Sequence, residues 1–136
     1  MRPSGLIDTN AIVAIVDAND RWHQAFVECL QDLVLPLGTS VAVLAETFHI
    51  LDRHEIARAW QFLLSGTVAV MQIDESDFAE LERLMLKYAD TPMDFADATL
   101  VRLAEREGLD TILTVDRDFE VYRIGPKKRF RVLPKR

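Results

Sequence analysis

Cysteine is nearly absent: Cys29 is the single thiol in 136 residues. One thiol closes no internal disulfide and builds no zinc knuckle, which points to a reducing compartment, the cytoplasm. Five glycines and five prolines leave no room for a low-complexity linker. No apolar run approaches the ~20 residues of a membrane span, and the first residues lack the plan of a secretory signal. The histidines His23, His49 and His54 share no metal-ligand spacing. Bases are the minority charge, 16 Lys and Arg against 22 Asp and Glu, for a net charge of −6. At first sight that balance argues against a polyanionic partner.

What is present is the composition of one folded domain, residues 1–136, with 49% hydrophobic and 28% charged residues. The charge is unevenly spread. Residues 1–116 carry 20 acids and 8 bases, a net −12, whereas residues 117–136 carry 8 bases and 2 acids, a net +6. A basic strip of this kind either solubilises the chain or meets phosphate.

Short apolar runs alternate with helical patterns. Leu6-Ile7, Val34 to Leu37, Thr67 to Ile73 and Thr111 to Val115 read as strands, with weaker strands at Glu120 to Ile124 and Arg129 to Leu133. Between them, helices are expected from Ala11, from an Asp20 cap to Asp32, from a Ser40 cap to Leu51, over His54 to Leu64 closed by Gly66, and over Ser76 to Tyr88. Another opens at Thr91-Pro92 and closes at Gly108. The alternation implies an α/β fold, a three-layer α/β/α sandwich around a mostly parallel sheet.

Five acids stand where burial makes them costly. Asp8 and Asp116 follow apolar strands, at the carboxyl ends where open α/β sheets bind ligands. Glu46 has Ala42, Val43 and Ile50 as helical neighbours, and no base lies within a turn of it. Asp94 and Asp97 share a helix face; Asp94 is expected at the third helical position, where capping alone justifies an acid. Asp97, followed by Leu100, Val101 and Ala104, falls on the core-facing stripe, beyond the reach of capping. Carboxylates crowded together need a cation to offset their repulsion. Oxygen-only ligation favours Mg²⁺ or Mn²⁺ over Zn²⁺. Such an ion activates water and stabilises a phosphodiester under attack.

The order Asp8-Thr9-Asn10 after the first strand, mid-helix Glu46, Pro92-Met93-Asp94-Phe95-Ala96-Asp97-Ala98, and Leu113-Thr114-Val115-Asp116-Arg117-Asp118-Phe119 resembles the PIN domain. The match is closest to VapC-like toxin ribonucleases of toxin–antitoxin pairs. The resemblance implies an Mg²⁺- or Mn²⁺-dependent endoribonuclease with Asp8, Glu46, Asp97 and Asp116 as the acidic quartet and Asp94 as an accessory acid. It implies Thr9, Asn10 and Thr114 as supporting residues, RNA as substrate, and a cognate antitoxin and a homodimer as assemblies, with no membrane. The resemblance further implies that a cation held there would activate a water for attack on the scissile phosphorus, with the 3′-oxygen leaving and a 5′-phosphate as product. Arg117, Arg123, Lys127, Lys128 and Arg129 are the candidates for holding flanking phosphates.

Two other classes compete. A receiver-like phosphoacceptor module also sets acids at strand ends around Mg²⁺, but it groups two acids after the first strand and a Lys after the fifth. Here Thr9-Asn10 follow Asp8, and no Lys occurs between Lys87 and Lys127. A PIN-like module that binds without cutting is the third reading. Cys29, Met71, Met85, Trp22 and Trp60 read as packing residues, and Asp118 as a turn residue.

Overall fold

The computed structural model describes residues 2–135. Its strands are short because the apolar runs are short. They are β1 (Leu6–Ile7), β2 (Leu37–Thr39), β3 (Val68–Val70), β4 (Thr111–Leu113), β5 (Arg123–Ile124), β6 (Lys128–Arg129) and β7 (Arg131–Leu133). Five of them form one sheet in the order β3-β2-β1-β4-β7. Every pairing in it is parallel, with Leu6 beside both Gly38 and Ile112. The central strands β1, β2 and β4 are buried throughout, as a parallel sheet covered on both faces requires.

The helices are α1 (Thr9–Val16), α2 (His23–Asp32), α3 (Val41–Ile50), α4 (Ile56–Leu63), α5 (Phe78–Lys87) and α6 (Phe95–Glu107). Helix α1 packs against α2, α3 and α4, α5 packs on α6, and α3 also reaches α6. The core joins Leu6, Ile7, Ile112 and Leu113 of the sheet to Ile12, Phe26, Leu84, Leu100 and Leu103 of the helices. This is the α/β/α sandwich that the alternation implies.

The strand order positions the site. After β1 the chain lays down β2 and β3 on one side, then crosses to the other side for β4. The carboxyl ends of β1 and β4 therefore flank a topological switch point, the crevice where such sheets bind ligands. In a receiver-type order, 2-1-3-4-5, the first strand would lie between the second and third. Here it lies between β2 and β4, so the receiver reading is excluded.

Several boundaries differ from the sequence expectation. Strand β2 starts at Leu37 rather than Val34, because Pro36 has no N–H to give a central ladder; Leu37 N and Gly38 N begin the pairing. Helix α2 starts at His23, since the Asp20 carboxylate and carbonyl take the Trp22 and His23 N–H groups in a preceding turn. A 3-10 turn over Arg53–Glu55 precedes α4, and another over Glu75–Asp77 precedes α5. The expected Glu120 to Ile124 strand shrinks to Arg123–Ile124: a 3-10 turn, Arg117–Glu120, ends on its first residue, and the two residues of β5 pair with β6 in a small antiparallel hairpin.

The opening of α6 is the correction that matters most. The helix begins at Phe95 with Asp94 as its N-cap, not at Thr91-Pro92. The N–H groups of Thr91 and Met93 are both turned back to the Tyr88 carbonyl, which holds this segment as a turn. Gly108 closes α6 as expected, in the left-handed conformation at φ 68° that glycine adopts without strain.

Candidate metal centre

Asp8 leaves β1 and caps α1, with Oδ1 accepting the Thr9 N–H at 2.8 Å. Its other oxygen, Oδ2, accepts the Thr114 hydroxyl at 2.8 Å and the Asn10 amide at 3.3 Å. Asn10 donates to Thr114 Oγ1 at 2.8 Å and accepts the Val115 N–H on Oδ1 at 2.9 Å. Thr114 Oγ1 in turn accepts the Asp116 N–H at 3.0 Å. The ends of β1 and β4 are thus laced together by two side chains, Asn10 and Thr114.

Helix α6 delivers the third acid. Asp94 Oδ1 accepts the Asp97 N–H at 2.8 Å, and Asp97 Oδ2 receives the Asp94 N–H at 3.5 Å. Asp97 is therefore the third residue of a capping box, and the expectation that capping plays no part there is overturned. A second donor, the Tyr122 hydroxyl, reaches the same Oδ2 at 3.1 Å. One carboxylate oxygen each from Asp8, Asp97 and Asp116 lies within 4.8 Å of the others.

These three acids open into a cleft of about 260 Å³ whose lining includes Thr9, Asn10, Val13, Asp20, Glu46, Ile50 and Asp94. Glu46, from the middle of α3, and Asp94 line the cleft but lie outside the tight group. Asp20 also faces the cleft, although the sequence offered it only as a cap. Tyr122 was likewise absent from the candidates: it lies 25 residues beyond Asp97, in a segment with strand-like composition. Neither position carries a local signal, because only the tertiary fold brings it to the site.

The electrostatics follow from crowding. Burial, against the hydrogen bonds from Thr114 and Thr9 and with the charges of Asp116 and Glu46, pushes the Asp8 carboxyl up to about 6. Burial and the neighbouring Asp94 and Asp8 charges push Asp97 up to about 8. Asp118 is raised by burial and by Asp116. Burial and Asp97 raise the Tyr122 phenol far above its ordinary value, which keeps it protonated. No Lys or Arg forms an ion pair with Asp8, Glu46, Asp97 or Asp116 among the described residues. Three convergent carboxylates, Asp8, Asp97 and Asp116, paired with no Lys or Arg among the described residues, are a donor set suited to a hard divalent cation.

The basic residues are dispersed. Arg117 follows Asp116 directly and is exposed. Arg123 folds back on the turn before it and donates to the carbonyls of Glu120, Val121 and Tyr122 at 2.8–3.1 Å. Lys127, Lys128 and Arg129 are exposed on the hairpin, where Lys128 pairs with Asp110 at 3.4 Å. Asp110 precedes β4, so this hairpin stands at the amino end of the sheet, opposite the acids.

Fold and site together define an α/β protein with an acidic centre at the switch point of a parallel sheet. The model of the PIN domain family matches residues 5–124, and the chain belongs to that family. Within it the chain is VapC-like: it is 32% identical over 135 residues to Ribonuclease VapC26 of Mycobacterium tuberculosis, covering 95% of this chain and 99% of that protein. Solved structures of the same fold include M. tuberculosis VapC20, a sarcin-ricin loop cleaving toxin (TM-score 0.77, 22% identity, 87% of this chain and 94% of that one). A second is VapBC2 of Rickettsia felis bound to a promoter DNA fragment (TM-score 0.69, 15% identity, 93% and 96% covered). A third is a toxin–antitoxin complex from Klebsiella pneumoniae (TM-score 0.65, 18% identity, 84% and 88% covered).

Proposed function

We propose that this chain is a divalent-cation-dependent endoribonuclease, the toxin of a toxin–antitoxin pair. The observation that carries the proposal is the convergence of Asp8, Asp97 and Asp116 within 4.8 Å at the sheet's switch point. Membership in the PIN family and the ribonuclease name of its 32% identical relative supply the substrate class.

Asp8, Asp97 and Asp116 would hold Mg²⁺ or Mn²⁺, with Glu46 and Asp94 lining the same cleft. The ion, when bound, supplies a Lewis acid for the phosphoryl oxygen and a water of lowered pKa. The chain's own residues prepare the site. Thr114 and Asn10 fix Asp8 and join the two strand ends, so that the acids stay in place without reorganisation. The Thr9 N–H at the start of α1 favours the charged form of Asp8. In this reading Arg117, next to the acids, and Lys127, Lys128 and Arg129, on the hairpin, would meet phosphates at different distances from the scissile bond. Arg123 spends one donor nitrogen on three backbone carbonyls and is the weakest of the five.

Two assemblies accompany this reading. An apolar groove of about 410 Å³ beside Val41, Ala45, Met71, Ile73, Phe78 and Phe95 supports a homodimer. Exposed Ile56, Trp60 and Leu64 on and just beyond α4 support docking of an antitoxin. No helix among the described residues is long and apolar enough to cross a membrane.

The deciding experiment is cleavage of structured RNA in Mg²⁺, Mn²⁺ or EDTA with the ends mapped. Cation-dependent cuts leaving 5′-phosphates are expected from the wild type, and no cuts from Asp8→Asn. Cleavage that survives EDTA and leaves 2′,3′-cyclic phosphates would overturn the proposal.

A further inference from the structure

Tyr122 is fully buried, among the largest side chains with no exposure at all. Its ring meets Tyr88 and Phe119 edge-on, with centroids 5.0 Å away in each case. Phenylalanine would fill such an aromatic cluster without carrying a hydroxyl into the core, where an unsatisfied one is costly. The Tyr122 hydroxyl donates to Asp97 Oδ2 at 3.1 Å. The neighbouring tyrosine makes the contrast: the Tyr88 hydroxyl touches no acid and accepts the Arg123 backbone N–H at 3.0 Å.

Both hydrogen bonds to the Asp97 carboxylate, from Asp94 N and from Tyr122, fall on Oδ2. The bond from Asp94 is long, at 3.5 Å, so the phenol is the stronger restraint. Held at Oδ2, the Asp97 carboxylate is restrained in rotation where it converges with Asp8 and Asp116. Asp97 stands on the first turn of a helix, whereas Asp8 and Asp116 are braced by the sheet. Without Tyr122 its side chain has only the capping box to fix its rotation. We propose that Tyr122 is a positioning residue of the cation site: it clamps Oδ2 of Asp97 and thereby fixes the orientation in which that carboxylate would meet the ion. The proposal rests on the cation-dependent reading above and assigns this chain a residue that its acidic motifs do not contain.

The test measures Mn²⁺ affinity by electron paramagnetic resonance for the wild type, Tyr122→Phe, Tyr88→Phe and Asp97→Asn. Outer partners of metal ligands typically contribute about 10- to 100-fold to affinity, and Tyr122→Phe is expected to weaken Mn²⁺ by that factor. Tyr88→Phe, which removes a hydroxyl from the same cluster, is expected to leave Mn²⁺ affinity unchanged. Equal Mn²⁺ affinity in Tyr122→Phe and wild type overturns the assignment. Absence of Mn²⁺ binding by the wild type overturns the underlying reading instead, so the two failures are distinct. A spectroscopic measurement needs no variant of Tyr122 itself. The chain has only two tyrosines, so 3-fluorotyrosine labelling gives two ¹⁹F signals, assigned with Tyr88→Phe. Saturating Mg²⁺ is expected to move the Tyr122 signal more than that of Tyr88. A Tyr122 signal unmoved by Mg²⁺ overturns the proposal even if Tyr122→Phe does not fold.

Discussion

The Thr114 hydroxyl donates to Asp8 Oδ2 at 2.8 Å and at the same time accepts the Asp116 N–H at 3.0 Å. One side-chain oxygen thus fixes two of the three converging acids. Thr114→Val keeps the shape and removes the oxygen, leaving the Asp116 N–H and one Asp8 lone pair short of a partner. The expected loss is about 1–3 kcal/mol of stability, read by urea denaturation. RNA cleavage is expected to fall as well, and Thr114→Ser is expected to restore most of both.

Stability should depend on pH in a direction set by the raised carboxyls. Asp8 and Asp97 titrate near their ordinary 3.8 when unfolded but are pushed up to about 6 and about 8 in the folded chain. Between those values the folded state holds protons that the unfolded state has released, so stability falls as pH rises. Glu105, raised to about 7 by burial and by Glu80, acts in the same direction. Without divalent cations the melting temperature is therefore expected to decline from pH 4 to pH 8. Added Mg²⁺ should raise it more at pH 8 than at pH 5, because only the ionised acids bind. Asp97→Asn should remove part of the decline and most of the Mg²⁺ response.

A second buried carboxylate serves stability alone. Asp77 is 1% exposed and bonds Arg102 Nε at 2.8 Å and Arg106 Nη1 at 3.0 Å, tying the start of α5 to α6. Burial works against its charge, but the Arg102, Asp74 backbone and Arg106 hydrogen bonds outweigh it and hold the carboxyl below its ordinary value. Asp77→Ala would leave both guanidinium groups without this partner and the Asp74 N–H uncapped. A loss of about 3 kcal/mol in denaturation is expected, with Mn²⁺ affinity unchanged in the folded fraction.

The hairpin bases are predicted to act on binding rather than on the cut. Lys127 and Arg129 are exposed at the amino end of the sheet, remote from the acids. Replacing both by Ala should weaken RNA binding and flatten its salt dependence by about 0.7 in log–log slope for each phosphate no longer neutralised. Single-turnover cleavage at saturating protein is expected to stay near wild type. A slope identical to wild type would remove these residues from the RNA interface.

The layers and the acids were legible because their signals are local. Apolar runs ended by Asp8 and Asp116, the Ser40 cap and the Gly108 stop each need only a few neighbouring residues. The opening of α6 was misread because Thr91 and Asp94 are both capable caps. The Tyr88 carbonyl, which engages Thr91 and Met93, and the reciprocal bonds between Asp94 and Asp97 decide between them, and neither is visible as composition. Asp20 reaches the cleft, and Tyr122 the Asp97 carboxylate, only through helix packing and an aromatic cluster. The basic C-terminal run, one strip in the sequence, is divided by the fold between two ends of the sheet.

The same strand order dictates when the centre comes into being. Asp8 and the hydroxyl that braces it are 106 residues apart in the chain, and β1 gains its second neighbour only when β4 is made. During synthesis the first acid leaves the ribosome long before its partners exist. The nascent polypeptide, surrounded by the very polymer it is proposed to cut, therefore carries no assembled centre until β4 and Asp116 have been made.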